Sequence, residues 1–499
     1  MISAMKETWR EFASNTTLHG LRYAVGVCDI RRRSLWILCL LACAASYLYM
    51  VIISFGTYID RPIRTEVSHE FPKDGLDFPV VTICNLNYFV KSKIDTGYED
   101  EAFFTRNLNM SVCGIIRGVS GNLTCGQALL CAYETFGSSV VDGCDDVIRS
   151  RVIAAVNSSN RPFDTEEFMT RYGHDFAPML MGYCAFSVNE NCDINDWSPH
   201  ITPGGMCYTF SKANQRKVYF LGGEGGLSII LDAQISEHTF GDFSTGFRVI
   251  LSARGTYINR ARGFNVFPGS HALVAVTPKK FERLPAPYRT NCSDRFLPGY
   301  GKYTKDACYT QCINNATMTD CGCRLPSQHA KFNNLPKCSI QDQECRAAAS
   351  VRVRSTLCDC TVPCKEQIYE PRVSYSKFPD ITITKILTNH FKLNKSASYL
   401  RDSLVFLQIG FEELAYQVDR QAPSYGPGNL FGDLGGNMGL MLGCSILTLI
   451  EFIDFLWIAL KSSLNKSKRT ATNDCGFSQG TGTSNQDANN VGLDMHVKT

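Results

Sequence analysis

Gly432-Asp433-Leu434-Gly435-Gly436-Asn437-Met438-Gly439-Leu440-Met441-Leu442-Gly443-Cys444-Ser445-Ile446-Leu447-Thr448-Leu449-Ile450-Glu451 is the most informative stretch of this chain. It is charge-free from Leu434 to Ile450, yet it carries glycines at Gly432, Gly435, Gly436, Gly439 and Gly443. Glycine is a poor residue for the interior of an ordinary helix. In a bilayer, small residues let helices approach closely. Irregular backbone is tolerated at membrane depth only where it is buried in protein or lines water. A membrane segment at which several copies of the chain meet satisfies both conditions. Unwound at Gly443-Cys444-Ser445, it would offer backbone carbonyls to a desolvating cation. Glu451 and Asp454 follow, one helical turn apart on the cytoplasmic half. In an oligomer they would form a ring of negative charge, and acids at membrane depth are functional candidates by default. The competing reading is GxxxG-type association of a receptor span.

A second apolar run, residues 35–55 (LWILCLLACAASYLYMVIISF), holds no charged side chain across 21 positions, enough to cross a bilayer as a helix. The alternative for either run is a buried core helix. It weighs more on the later run, which holds Glu451, Asp454 and the glycines. Arg31, Arg32 and Arg33 precede the first run, and Lys461, Lys466, Lys468 and Arg469 follow the second. Positive residues favour the cytoplasmic side, so both chain ends are expected inside, with everything between the runs outside. Residues 1–34 show no short apolar core with a cleavage site, so the first run itself would direct insertion. The expected organisation is a cytoplasmic N-terminus (1–34), a first transmembrane helix (35–55) and an extracellular Cys-rich domain (56–430). A second transmembrane helix with the pore (431–460) and a cytoplasmic tail (461–499), polar enough to be disordered, complete it.

The cysteines agree with this division. Of 23, eighteen lie between Cys84 and Cys364; the other five are Cys28, Cys39, Cys43, Cys444 and Cys475. An even number in an oxidising compartment reads as a disulfide framework. The rival, metal ligation by Cys321/Cys323 and Cys358/Cys360, lacks the usual CxxC spacing of zinc sites, so no metal is expected. Glycosylation sequons at Asn109, Asn122, Asn157, Asn291, Asn315 and Asn394 fall in the same region. Asn15 and Asn465 also match but would face the cytoplasm.

Between the apolar runs, Phe78-Pro79-Val80-Val81-Thr82-Ile83-Cys84-Asn85 reads as strand, with Pro79 at its start or edge. A helix is expected around Thr165–Met181. Residues 218–277 read as sheet, with Leu227, Ile229 and Leu231 alternating with Ser228, Ile230 and Asp232. The Gly222–Gly226 cluster is read as a turn, because no P-loop lysine follows it. Ten cysteines crowd residues 292–364, so bridges rather than a large core should fix that part. Leu404–Phe411 is a further alternating strand. The net charge of +3 gives no global basic field, so no nucleic-acid partner is expected. HExxH and dinucleotide motifs are absent and the nine histidines are scattered, which argues against an enzyme.

The sequence resembles the degenerin/epithelial sodium channel (amiloride-sensitive sodium channel) family over roughly residues 8–460, closest in pattern to the acid-sensing ion channels. The resemblance rests on His19-Gly20, the Phe78-to-Asn85 block and Arg171-Tyr172-Gly173-His174-Asp175. It continues with Gly205-Met206-Cys207-Tyr208, the cysteine block 292–364 and the G-x-S form of Gly443-Cys444-Ser445. It implies an α+β membrane protein: two transmembrane helices and a disulfide-rich extracellular domain of palm, β-ball, knuckle, finger and thumb, assembled as a trimeric chalice. It further implies a sodium-selective, amiloride-sensitive channel in the plasma membrane, multi-pass, with Na+ as transported ion and no cofactor. Its partners would be identical or related subunits of a homo- or hetero-trimer, membrane lipid, and a proton or peptide ligand.

By the same resemblance the bridges would be Cys84–Cys207, Cys184–Cys192, Cys292–Cys364, Cys308–Cys360, Cys312–Cys358, Cys321–Cys345 and Cys323–Cys338. Cys113, Cys125, Cys131 and Cys144 are left for two finger bridges of open pairing. Gly443, Cys444 and Ser445 would be the selectivity filter, with Glu451 and Asp454 as pore acids. Gly432 and Asp433 would mark the gate, Gly432 at the degenerin position, and Gly439 the amiloride position. His19 and Gly20 would influence open probability, Tyr58 and Tyr288 would couple the extracellular domain to the pore, and Leu414 and Ala415 would form a gating linker. The bland reading of each is a packing residue.

Several positions depart from the acid-sensing pattern. The finger stretch 235–243 is short and acid-poor, while the thumb keeps Asp342 and Glu344. Like charges packed together raise carboxylate pKa values, and that switch is thinner here. The histidine expected beside Tyr58 is missing, with Asp60 and Arg61 nearby, and Leu414-Ala415 stands where acid-sensing members have leucine–asparagine. Gating by peptide, modified gating by acid, inhibition by acid and constitutive opening all stay open. Two other classes remain: a non-conducting cell-surface receptor with two spans, and a membrane-tethered ectoenzyme. The glycine-rich second run with Glu451 separates the channel from both, because a plain anchor needs neither.

Overall fold

A computed structural model describes residues 2–26, 29–95, 122–133, 141–158, 165–188, 190–202, 204–210, 216–239, 244–325, 335–339, 342–355, 358–390 and 395–471. The chain divides into two units: Ile63–Pro423, and Met1–Pro62 together with Ser424–Thr499.

The strands of Ile63–Pro423 are β1 (Ile63–Glu70), β2 (Leu76–Asp77), β3 (Val80–Asn85), β4 (Leu180–Phe186), β5 (Glu190–Asn191), β6 (Trp197–Thr202), β7 (Gly205–Phe210), β8 (Lys217–Val218), β9 (Leu227–Asp232), β10 (Phe247–Ser252), β11 (Phe264–Val266), β12 (Ser270–Glu282), β13 (Lys365–Lys377), β14 (Leu404–Phe411) and β15 (Tyr416–Pro423). The larger sheet runs β1-β15-β12-β14-β9-β4-β5, with β13 also on β12. The smaller runs β11-β10-β3-β7-β6. The main core joins inward side chains of both, among them Ile83, Phe210, Ile229, Val274, Leu407 and Ile409.

Pro79 stands immediately before β3, which is buried at all six residues and lies between β10 and β7. Cys84 faces Cys207 across the β3–β7 pair, in register for a bridge between neighbouring strands. The alternation in β9 suggests one buried face, but all six of its residues are buried. Helices Ile381–His390 and Ala397–Ser403 explain this, because Ile230 packs in a separate cluster with Leu387 and Leu400. The expected helix near Thr165–Met181 is two helices, Thr165–Tyr172 and Phe176–Met179. The glycine cluster forms one helical turn, Gly222–Gly225.

In the cysteine block, helices Lys305–Cys321 and Gln343–Ser355 are tied by Cys321–Cys345, with Cys308–Cys360 and Cys312–Cys358 linking the first to the returning chain. Cys323–Cys338 staples the connection and Cys292–Cys364 closes the base. The apolar cluster here is small: Leu297, Tyr300, Tyr303, Ala307 and Cys308. Elsewhere Cys184–Cys192 joins β4 to the residue after β5, and Cys131 pairs with Cys144. Cys125 is also disulfide-bonded, while Cys113 lies outside the described residues.

In the other unit, Ile30–Asp60 is a single helix long and apolar enough to cross a membrane. Asp29 caps it by accepting from the Arg31 N–H at 3.0 Å. It extends past the apolar run at both ends. Helices Pro427–Leu442 and Ile446–Ala471 meet at a bend of 75°. Pro427 at the first helical position suits an N-terminus, and Gly443 closes the first helix in the left-handed region at φ 64°. Together they count as a second span only if taken as one broken segment.

Candidate functional site

The bend is built from sequence-local rules. The Gly443 N–H bonds back to the Gly439 carbonyl at 3.0 Å, and the left-handed conformation turns the chain sharply. Ser445 then precedes the next helix, and Thr448 Oγ1, three residues on, accepts from the Ser445 N–H at 3.0 Å. This is half of a capping box, in which a side chain of the first turn reaches back to the cap backbone. Gly443, Cys444 and Ser445 are thus the residues between two helices, with Cys444 as a free thiol.

The N-terminal head folds onto this bend. Helices Ile2–Asn15 and Leu21–Gly26 flank Thr17-Leu18-His19-Gly20. His19 Nδ1 lies 3.2 Å from the Gly443 carbonyl oxygen. A Cβ built on Gly443 would overlap the His19 ring, so glycine is required there for conformation and for space alike. Gly20 (φ 89°) permits the next turn, under Trp36 and Leu40. Thr17 Oγ1 meets Thr448 Oγ1 at 2.5 Å. Glu451 Oε2 accepts from Thr16 Oγ1 at 2.8 Å and from the Thr17 N–H at 3.0 Å. Trp9 packs edge-on against Phe455 and Phe12 packs tilted against Phe452 and Phe455, at 4.8–5.6 Å between centroids, anchoring the head helix. A cavity of about 330 Å³ between them is lined by Glu11, Thr16, Glu451 and Asp454 among others.

The residues singled out from sequence are therefore gathered unevenly. His19, Gly20, Gly443, Cys444, Ser445 and Glu451 come together, and Asp454 joins Glu451 at the cavity. Gly432 and Gly439 lie in helix Pro427–Leu442; a Cβ on Gly432 would meet nothing within 4 Å, and one on Gly439 only the Cys444 carbonyl oxygen at 3.7 Å. Asp433 accepts from Tyr425 OH at 2.5 Å. Leu414 and Ala415 lie between β14 and β15, Leu414 against the main core and Ala415 buried. Tyr58 belongs to helix Ile30–Asp60, whereas Tyr288 belongs to the Ile63–Pro423 unit, its N–H on the Pro285 carbonyl. Asn122, Asn157, Asn291 and Asn315 are exposed; Asn109 and Asn394 lie outside the described residues.

Two features escaped the sequence reading. One is the threonine clamp on Glu451, whose partners are more than four hundred residues apart. The other is a polar knot at His174. Its Nδ1 meets Gln234 Oε1 at 2.6 Å and its Nε2 meets Asn87 Nδ2 at 2.9 Å. Asn87 also donates to the carbonyls of Phe89 and Glu237 and accepts from the Thr239 N–H at 3.0 Å. Burial lowers the His174 pKa from 6.5 to about 4, so the ring is neutral at physiological pH. Near it, Asp232 is bonded by Tyr399 OH at 3.1 Å, and burial raises its pKa. Asp342 of the thumb accepts from the Ser339 N–H at 2.7 Å, while Gln341 beside it is outside the described residues.

Comparison with known proteins identifies the family of the chain. A family model described as amiloride-sensitive sodium channel matches residues 12–455. The chain is similar to acid-sensing ion channel 4-B of Danio rerio, at 28% identity over 471 residues, covering 91% of this chain and 76% of that one. It is 30% identical to acid-sensing ion channel 4 of Rattus norvegicus over 491 residues, covering 92% and 82%. It is 29% identical to acid-sensing ion channel 1 of Gallus gallus over 474 residues, covering 91% and 84%. A solved proton-activated chloride channel aligns with a TM-score of 0.31 at 8% identity, covering 85% of this chain and 98% of that one, too low a likeness to argue from.

Proposed function

The chain belongs to the amiloride-sensitive sodium channel family, and on that basis we propose that it is one subunit of a trimeric, sodium-selective, amiloride-sensitive cation channel opened or modulated by an extracellular stimulus. Its relatives are ion channels rather than enzymes. The observation that carries the reading is the His19 ring set against the Gly443 carbonyl at a helix break. A desolvated cation needs fixed oxygen dipoles in place of its water. Unwound backbone at Gly443-Cys444-Ser445 would supply them if three copies met there. The His19 contact restrains the carbonyl of Gly443, and the Thr16–Thr17 clamp restrains Glu451. The head motif would then act on conduction by holding the filter from the inner side. Glu451 and Asp454 would concentrate cations at its inner mouth. Gly432 would sit at the gate and Gly439 at the blocker position.

Protons are the first stimulus to apply, because the relatives named above are acid-sensing channels. A peptide ligand is the second, because the finger stretch carries few acids. The test is expression of the chain alone, with whole-cell recording under sodium and potassium gradients, amiloride, pH steps and then a neuropeptide panel. An amiloride-blocked, sodium-selective current is expected. Surface-expressed chain that carries no such current, alone or with family subunits, would instead support a non-conducting receptor.

A further inference from the structure

Within the Ile63–Pro423 unit, a cleft of about 870 Å³ opens beside the end of β12 and the start of β13, facing the turn after β10 and the approach to helix Lys305–Cys321. That size suits a small organic molecule. Its apolar lining includes Ile250, Leu251, Phe281 and Ile368. Five carboxylates also line it, and each already has a cation. Asp77 is met by Arg254 at 2.9 Å and Lys217 at 3.1 Å. Glu282 is bonded by Arg420 at 2.6 Å, and Glu366 by Arg283 at 2.9 Å. Glu370 pairs with Lys279 at 2.7 Å and Asp306 with Arg262. Lys217, Arg420, Arg283 and Lys279 reach these acids from outside the lining.

Two of the lining's own cations are therefore left in surplus. Lys302 and Lys365 make no ion pair among the described residues, and the nearby Glu282 is already held by Arg420. We propose that this cleft binds a small organic anion with an apolar body, its carboxylate, sulfonate or phosphate group drawn to Lys302 and Lys365. The occupant would press on Lys280–Glu282, which pair residue for residue with Val418–Arg420 of β15, the strand that leads by chain to Ser424. Any effect on current rests on the channel reading; binding does not.

The test uses the purified full chain in lipid nanodiscs with 2-naphthoate, naphthalene-2-sulfonate and 2-naphthyl phosphate, and neutral 2-naphthamide as control, by saturation-transfer NMR and calorimetry. At least one anion should bind about tenfold more tightly than the amide. Lys302→Glu/Lys365→Glu should weaken that anion by about tenfold or more, while Lys302→Arg/Lys365→Arg keeps it. Both lysines are exposed, so these variants are expected to fold. Equal binding of the amide, no binding of any anion, or an affinity indifferent to charge reversal would overturn the site. Binding by a chain that carries no current would leave the site standing and remove the channel reading; current without binding would do the reverse.

Discussion

Gly443 is constrained twice: its φ of 64° lies where a Cβ is strained, and a Cβ there would strike the His19 ring. The left-handed conformation alone costs a non-glycine residue about 1–2 kcal/mol. Gly443→Ala should therefore displace His19, lower sodium-over-potassium selectivity and reduce current at equal surface expression, read from reversal potentials. Unchanged selectivity would mean that the His19 contact does not shape the filter. The Gly-x-Ser form was legible in sequence because glycine at a break has a local reason. The His19 contact was not, since it joins positions 424 residues apart and no periodicity marks it. His174 makes the second argument at this scale. Burial sets its pKa near 4, with Lys93 and His238 also disfavouring the charged ring and Glu237 favouring it. A group whose folded pKa is depressed binds protons more tightly when its surroundings open. Its stabilising contribution is full above pH 6.5, falls as pH drops and is lost by about pH 4. Protection factors of the amides around Asn87–Val90 should fall between pH 7 and 5. His174→Asn should flatten that dependence; an equal slope in the variant would exclude the knot as its source.

The cysteine block shows which forces hold an element when the core is thin. Among the described residues its apolar cluster has five buried members, one of them the bridged Cys308, while five disulfides span residues 292–364. Cysteine density made this legible, because a segment with so little apolar surface needs covalent closure. The pairings were another matter, since counting cysteines chooses none of them. Cys308–Cys360 closes a separation of 52 residues, and losing a native bridge in such a domain typically costs about 2–5 kcal/mol. Cys308→Ala/Cys360→Ala should make the Lys305–Cys321 helix a site of chymotryptic cleavage, after Tyr309, under conditions that leave the parent intact. Equal resistance would mean that the small cluster suffices alone. β9 shows the opposite limit of sequence reading. Its alternation was genuine, but the covering helices Ile381–His390 and Ala397–Ser403 come from residues about 150 or more positions later, so burial of both faces could not be read locally.

For the whole molecule, the sequence showed the apolar runs, the cysteine-rich stretch between them and the strand regions 78–85, 218–277 and 404–411, since each follows from local composition, while β1, β4 to β7, β13 and β15 were not read. The pairing of β12 in parallel with β14 and β15 was hidden, because parallel partners are fixed by tertiary packing. Assembly is where Gly432 becomes decisive. Within one subunit a Cβ at Gly432 meets no atom within 4 Å, so a larger side chain there has room and should favour the helix. On the channel reading proposed above, a strong effect of such a change would arise between subunits. In the trimer proposed above, three copies of the Pro427–Leu442 helix converge when the pore closes, and glycine permits the closest approach. A phenylalanine would oppose the closed state and leave the wider open state untouched. A differential of about 2.7 kcal/mol carries a two-state population from roughly 99:1 closed to even. Gly432→Phe should therefore give a standing, amiloride-blocked sodium current without any stimulus, measured against the parent chain at matched surface density. If the variant reaches the surface and stays silent until stimulated, this position does not line the closed gate, and the convergence of subunits lies elsewhere along the helix.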